Sequence, residues 1–163
     1  MIYLAVSLYA AAMTAANLLV VHFGPAITPI NAFFLIGMEL SLRDWLNVRL
    51  KPWQMGALIA GTSLLSWALD PAAQQIAIAS ATAFLVSSMS AWLLFTKASG
   101  TWLARSLKAN TAGAAVDSLV FPLMAFGSFL PLIVLGQFAA KMAGGALWAW
   151  MMSRSVKATG ESA

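Results

Sequence analysis

No cysteine occurs anywhere in the chain, and only 9% of its residues are charged. The first absence removes disulfide frameworks, thiolate metal sites and cysteine nucleophiles. With a single histidine, few metal centres remain beyond an all-carboxylate one, so neither a metal nor another cofactor is expected. Also missing are a Gly-rich phosphate loop, an HExxH pair and a Ser-His-Asp set. A Ser-Lys hydrolase built on Lys141 would need a serine marked out as its nucleophile, and none is. The expectation is therefore a protein that is not an enzyme. The N-terminus has no basic stretch ahead of its apolar run, so the run from Ile2 is expected to be a retained first helix and not a cleaved signal.

What fills the chain instead is apolar: 61% hydrophobic residues and a mean hydropathy of +0.85 in 163 residues. Soluble domains carry about a quarter charged residues, so this composition predicts an all-α membrane protein lying in a lipid bilayer. With about 20 residues per crossing, the chain has room for a six-transmembrane-helix bundle. The predicted spans run from Ile2 to Val21, Ala26 to Leu42, Trp53 to Leu69, Gln75 to Phe95, Ala109 to Phe129 and Pro131 to Met152. Gly24, Pro25 and Pro29 predict a short second span with an irregular start. Lys97 to Lys108 mixes Trp102 and Leu103 with basic residues and reads as a short interfacial helix. Residues 1–152 then form one transmembrane domain, and 153–163 a short, frayed polar tail.

Of the nine Lys and Arg residues, all but Lys141 lie in three segments. Arg43, Arg49 and Lys51 follow span two, Lys97, Arg105 and Lys108 follow span four, and Arg154 and Lys157 close the chain. The alternate connections contain neither residue. The positive-inside rule then puts both termini in the cytoplasm of a multi-pass protein in the cytoplasmic (inner) membrane. The same distribution explains the net charge of +4 by membrane flanks, and no nucleic-acid partner is expected.

Against this background Asp117 and Lys141 stand out. A charge at mid-bilayer depth costs at least about 2.5–3.5 kcal/mol on insertion scales, so such residues face a cavity, a partner or a substrate. Asn110, Gly113, Asp117 and Phe121 share one face of span five, and Gln137, Lys141, Gly144 and Trp148 share one face of span six. Antiparallel packing brings Asp117 and Lys141 to similar depth, where they either form an ion pair that fixes the packing or bind a ligand. Pro122 removes a backbone donor nearby. Asn17, Asn31 and Glu39 are further candidates. Asparagines commonly bond between helices, and Glu39, near the end of its span, has interfacial water or Arg43 as alternative partners. The serines of span four, Ser80, Ser87, Ser88 and Ser90, read as packing residues, and His22 as a solvated position. The pairs Ala11/Ala15 and Ala12/Ala16 allow close approach of another helix, from this chain, from a second copy in a homo-oligomer, or from another protein.

The segment RSLKANTAGAAVDSLVFPLMAF, Arg105 to Phe126, followed by Gln137 and Lys141, resembles the vitamin uptake transporter (VUT) family, whose characterised members are queuosine-precursor transporters. Asn17 and the run FFLIGMELSLRDW fit the same pattern, while Ala114 and Ala115 stand where many members carry a glutamine. The resemblance implies six helices arranged like the substrate-binding subunits of energy-coupling-factor transporters, and import of a 7-deazaguanine base. For such a deazapurine substrate, Asp117 or Glu39 would accept from the guanine edge. Lys141, Gln137 or Asn17 would donate to its carbonyl, Asn31 would line the site, and Phe121, Phe34 or Trp148 would stack on the ring. Two alternatives stay open: a substrate-binding subunit driven by a separate ATPase docked on the alanine-rich face of span one, and a non-transporting structural or assembly protein.

Overall fold

The computed structural model describes residues 2–47, 49–99 and 102–158. The first helix, α1 (Ile2–Phe23), meets no breaker until Gly24, whose φ of 68° is open to glycine and ends it. Pro25–Ile27 forms a 3-10 turn, followed by α2 (Thr28–Asn31), a π turn over Ala32–Ile36 and α3 (Gly37–Asn47). The expected irregular second span is thus a run of three helical pitches. Pro52 opens α4 (Pro52–Leu69), where Gln54 Oε1 accepts from the Lys51 amide at 2.8 Å. Asp70 accepts from the Ala72 amide at 2.9 Å in the turn before α5 (Gln74–Lys97). Last come α6 (Trp102–Phe126) and α7 (Pro131–Ala158), joined across Gly127 with φ 65°.

Two expectations are corrected. Among the described residues of 97–108 there is no separate interfacial helix: α5 continues through Lys97, and Trp102–Lys108 is the first part of α6. Leu103, Ala104, Leu107 and Ala109 are strong helix formers, and no proline interrupts them before Pro122. The polar tail is not frayed from Ser153, because α7 runs on to Ala158; residues 159–163 lie outside the described residues.

Among the described residues four helices are long and apolar enough to cross a membrane, over Ile2–Phe23, Pro25–Arg43, Pro71–Leu94 and Lys108–Phe126. With no strand among the described residues, the chain is an all-α, multi-pass membrane protein. Helices α4 and α7 fall outside these four; α4 carries Gln54, Thr62, Ser63 and Ser66, and α7 carries Gln137 and Lys141.

The helices close into a circuit: α1 packs on α4, α4 on α5, α5 on α6, α6 on α7, α7 on the 28–47 segment, and that segment back on α1. In lipid, helix association depends on close van der Waals fit and interhelical hydrogen bonds, so small residues mark the tightest crossings. A Cβ on Gly144 would fall 2.2 Å from the Phe33 carbonyl oxygen, and one on Gly37 would fall 2.7 Å from the Gly144 carbonyl carbon. The π turn therefore sits where the 28–47 segment and α7 touch backbone to backbone. An apolar cluster of Ala5, Tyr9, Met13, Leu42, Leu46, Met55 and Ile59 joins α1, α3 and α4, and Val20, Ile76, Ala79 and Ala125 form a second at the opposite end. Of the paired alanines on α1, Ala12 and Ala16 are buried in the bundle, whereas Ala11 is exposed.

Candidate functional site

Lys141 is 4% exposed, and Asp117 is 23% exposed. The lysine ammonium donates to Asp117 Oδ2, to Ser118 Oγ at 3.2 Å and to Gln137 Oε1 at 3.3 Å. A lysine has three N–H donors, so each has an acceptor from the protein. The chain of bonds continues: Gln137 Nε2 donates to Thr28 Oγ1 at 3.0 Å, and the Thr28 hydroxyl donates to the Pro25 carbonyl at 2.7 Å. One polar relay thus ties α6 and α7 to the start of the 28–47 segment.

Pro122, fully buried, leaves the Ser118 carbonyl without its α-helical donor at this level of α6. Burial of Lys141 is tolerable because Asp117 balances its charge and the remaining protons are bonded. Asp117 is the partly open member of the pair.

The other candidate residues fall into separate groups. Asn17, 3% exposed, donates to Ser66 Oγ at 3.1 Å and accepts from the Ser80 hydroxyl at 2.7 Å. It clamps α1, α4 and α5. Asn31 donates to the Ala16 carbonyl at 3.1 Å, bracing α2 on α1. Glu39 is 3% exposed, so it does not reach interfacial water. It points toward α1, where the Tyr9 hydroxyl lies against its carboxylate and Arg43 and Asp117 share the electrostatic surroundings. Phe121 sets its ring edge-to-face on Phe126 at 6.0 Å and packs on the cluster of Val20, Ile76, Ala79 and Ala125. Phe34 is 56% exposed, with its ring against Phe33, and joins none of the polar groups described above. Trp148 is half-buried on the Lys141 face, and its indole Nε1 meets no acceptor among the described residues. His22 is exposed in the last turn of α1, its Nδ1 3.0 Å from the Leu18 carbonyl oxygen.

Asp117, Lys141 and Gln137 therefore come together, while Asn17 and Asn31 bond to other helices and Phe34 is exposed. Two members of the Asp117 hydrogen-bonded set, Ser118 and Thr28, escaped the sequence reading, as did Tyr9 beside Glu39. Ser118 has no exposed surface and follows Asp117 directly, so a carboxylate next to a hydroxyl was the available signal. Thr28 is 3% exposed and sits in the proline-flanked turn. Tyr9, fully buried, is one of two tyrosines in the chain. The Ser118 hydroxyl next to Lys141 also supplies the serine that a Ser-Lys pair lacked, but it is sealed from solvent and the lysine protons are all engaged.

Compared with known protein families, characterised proteins and solved structures, the chain matches none.

Proposed function

We propose that this protein is a transporter that imports a small planar solute, a queuosine precursor of the 7-deazaguanine class, across the cytoplasmic membrane. The observation that carries the reading is the Asp117–Lys141 pair, buried within an apolar helical bundle yet open on its carboxylate side. A pair that served packing alone is commonly replaceable by apolar side chains at no loss, or even with a gain, in stability. Intramembrane charge also marks solute and ion paths. Lys141 holds Asp117 through one oxygen, which leaves the carboxylate's remaining acceptor capacity for the adjacent N–H donors of a guanine edge. The indole N–H of Trp148 offers a donor on the same face, and its ring a surface for stacking.

The resemblance in the Arg105–Phe126 segment supplies the substrate class. In this reading all six helical bodies cross the membrane, α4 and α7 being sheltered by their neighbours, and the basic segments put both termini in the cytoplasm.

One observation favours a second reading. Because every Lys141 proton is already bonded within the protein, the same residues suit a clamp joining α6, α7 and the 28–47 segment in a non-transporting membrane protein. Uptake separates the two. Purified chain reconstituted alone in proteoliposomes should take up labelled 7-deazaguanine saturably. Folded protein that takes up none would leave the clamp, and uptake only with an added ATPase would make the chain a binding subunit.

A further inference from the structure

An open groove of about 320 Å³ lies between the first turns of α5 and the last turns of α6, with the exposed side chains of Gln74, Gln75, Ile78 and Met124 along its rim and buried Ala79 at its floor. This lies at the lower end of the roughly 300–1,000 Å³ of small-molecule sites, which are mostly apolar with a few polar groups that fix orientation. Ile78 and Met124 supply the apolar walls, and two carboxamides supply the polar edges. Each carboxamide presents a donor and an acceptor in one plane, the complement of a flat heterocycle with an amide-like edge. Gln75 Nε2 reaches the Met124 carbonyl at 3.4 Å, which leaves its own carbonyl oxygen to accept.

The position of the groove is the second part of the argument. Met124, Phe121 and Asp117 lie on one face of α6 at spacings of three and four residues. Over seven residues the helix rises about 10 Å, so the groove sits about two turns from the Asp117 carboxylate. Phe121 stands between them, and Ala79 at the groove floor packs in the same apolar cluster as that ring. The connections at this end of the bundle, 24–27, 70–73 and 127–130, contain no Lys or Arg, which under the proposed orientation makes this the outer face.

We infer that this groove is the entry subsite of the protein, holding a planar, amide-edged heterocycle between Ile78 and Met124 before it passes Phe121 to reach Asp117. The inference rests on the transport reading for its direction, but binding at the groove is measurable without transport.

The absence of native cysteine makes the test direct. In an Ile78→Cys variant in proteoliposomes, a membrane-impermeant maleimide should label the introduced thiol, and 7-deazaguanine should slow that labelling. Adding Gln74→Leu and Gln75→Leu should raise the protecting concentration about tenfold, the loss expected for removal of two neutral hydrogen-bonding groups. In the otherwise native chain, the same pair of leucines should raise the KM of uptake by a similar factor and leave the maximal rate in place. Labelling at one rate with and without the base, or a thiol the reagent never reaches, would overturn the subsite. Protection without uptake would refute the transport reading and leave the subsite standing. Uptake without protection would do the reverse.

Discussion

Replacing Asp117 by asparagine keeps the size of the side chain and removes one of two paired charges. Lys141 would then hold its ammonium 4% exposed, with Ser118 Oγ, Gln137 Oε1 and the asparagine carbonyl as neutral acceptors. Breaking a buried pair from one side costs about 3–5 kcal/mol. Because Asp117 is itself 23% exposed and asparagine keeps an acceptor, the expected loss is at the low end, about 3 kcal/mol. Lys141→Met should cost less, about 1–2 kcal/mol, because the stranded carboxylate has access to solvent and loses only its charged partner. The double variant should recover most of the Asp117→Asn loss, since neither charge is left unpaired. Unfolding of the purified protein in mixed micelles, followed through the fluorescence of its seven tryptophans, gives all three values. An Asp117→Asn loss below about 1 kcal/mol, or a Lys141→Met loss that exceeds it, would refute the reasoning that burial of the ammonium sets the energy.

Gly144→Ala should separate α7 from the 28–47 segment, because its Cβ would meet the Phe33 carbonyl at 2.2 Å. A loss of at least about 1–3 kcal/mol is expected in the same unfolding measurement. Gly56→Ala, where nothing lies within 4 Å, should instead be neutral or gain about 0.5–1 kcal/mol from helix propensity. Asn17→Ala leaves the hydroxyls of Ser66 and Ser80 without their shared partner and should cost about 1–3 kcal/mol. Because Asn17 clamps helices and does not join the Asp117 set, its loss should lower stability while the KM of the folded fraction stays near the native value.

Pro25, Pro52, Pro71 and Pro131 each stand at the first position of a helical segment, and the spans read from the sequence at Ala26, Trp53, Gln75 and Pro131 begin at or just after them. The depth match of Asp117 and Lys141 was legible too, since two antiparallel spans of similar length bring their middles together. What the sequence left hidden depends on which helix lies beside which. The links from Lys141 to Ser118 and from Gln137 to Thr28 join residues far apart in the chain. The contact of Gly144 with Phe33 depends on a crossing with no local pattern, and so does the π turn beside it. Glu39 looked close to water because span two was ended at Leu42. In the structure α3 continues to Asn47, which puts Glu39 two turns inside the helix. The segment after Lys97 misled for the opposite reason: its mixture of tryptophan and basic residues is what an interfacial helix carries, and also what the first turns of a longer helix carry where it leaves the bilayer.

The measurement that bears most directly on the central claim is uptake by the charge-neutral double variant, Asp117→Asn with Lys141→Met, in proteoliposomes beside the native chain. Its stability is expected to be close to native, so a loss of uptake cannot be assigned to unfolding. The account predicts saturable import of 7-deazaguanine by the native protein alone and none by the double variant. Undiminished import by the folded double variant would show that the pair only holds the helices together.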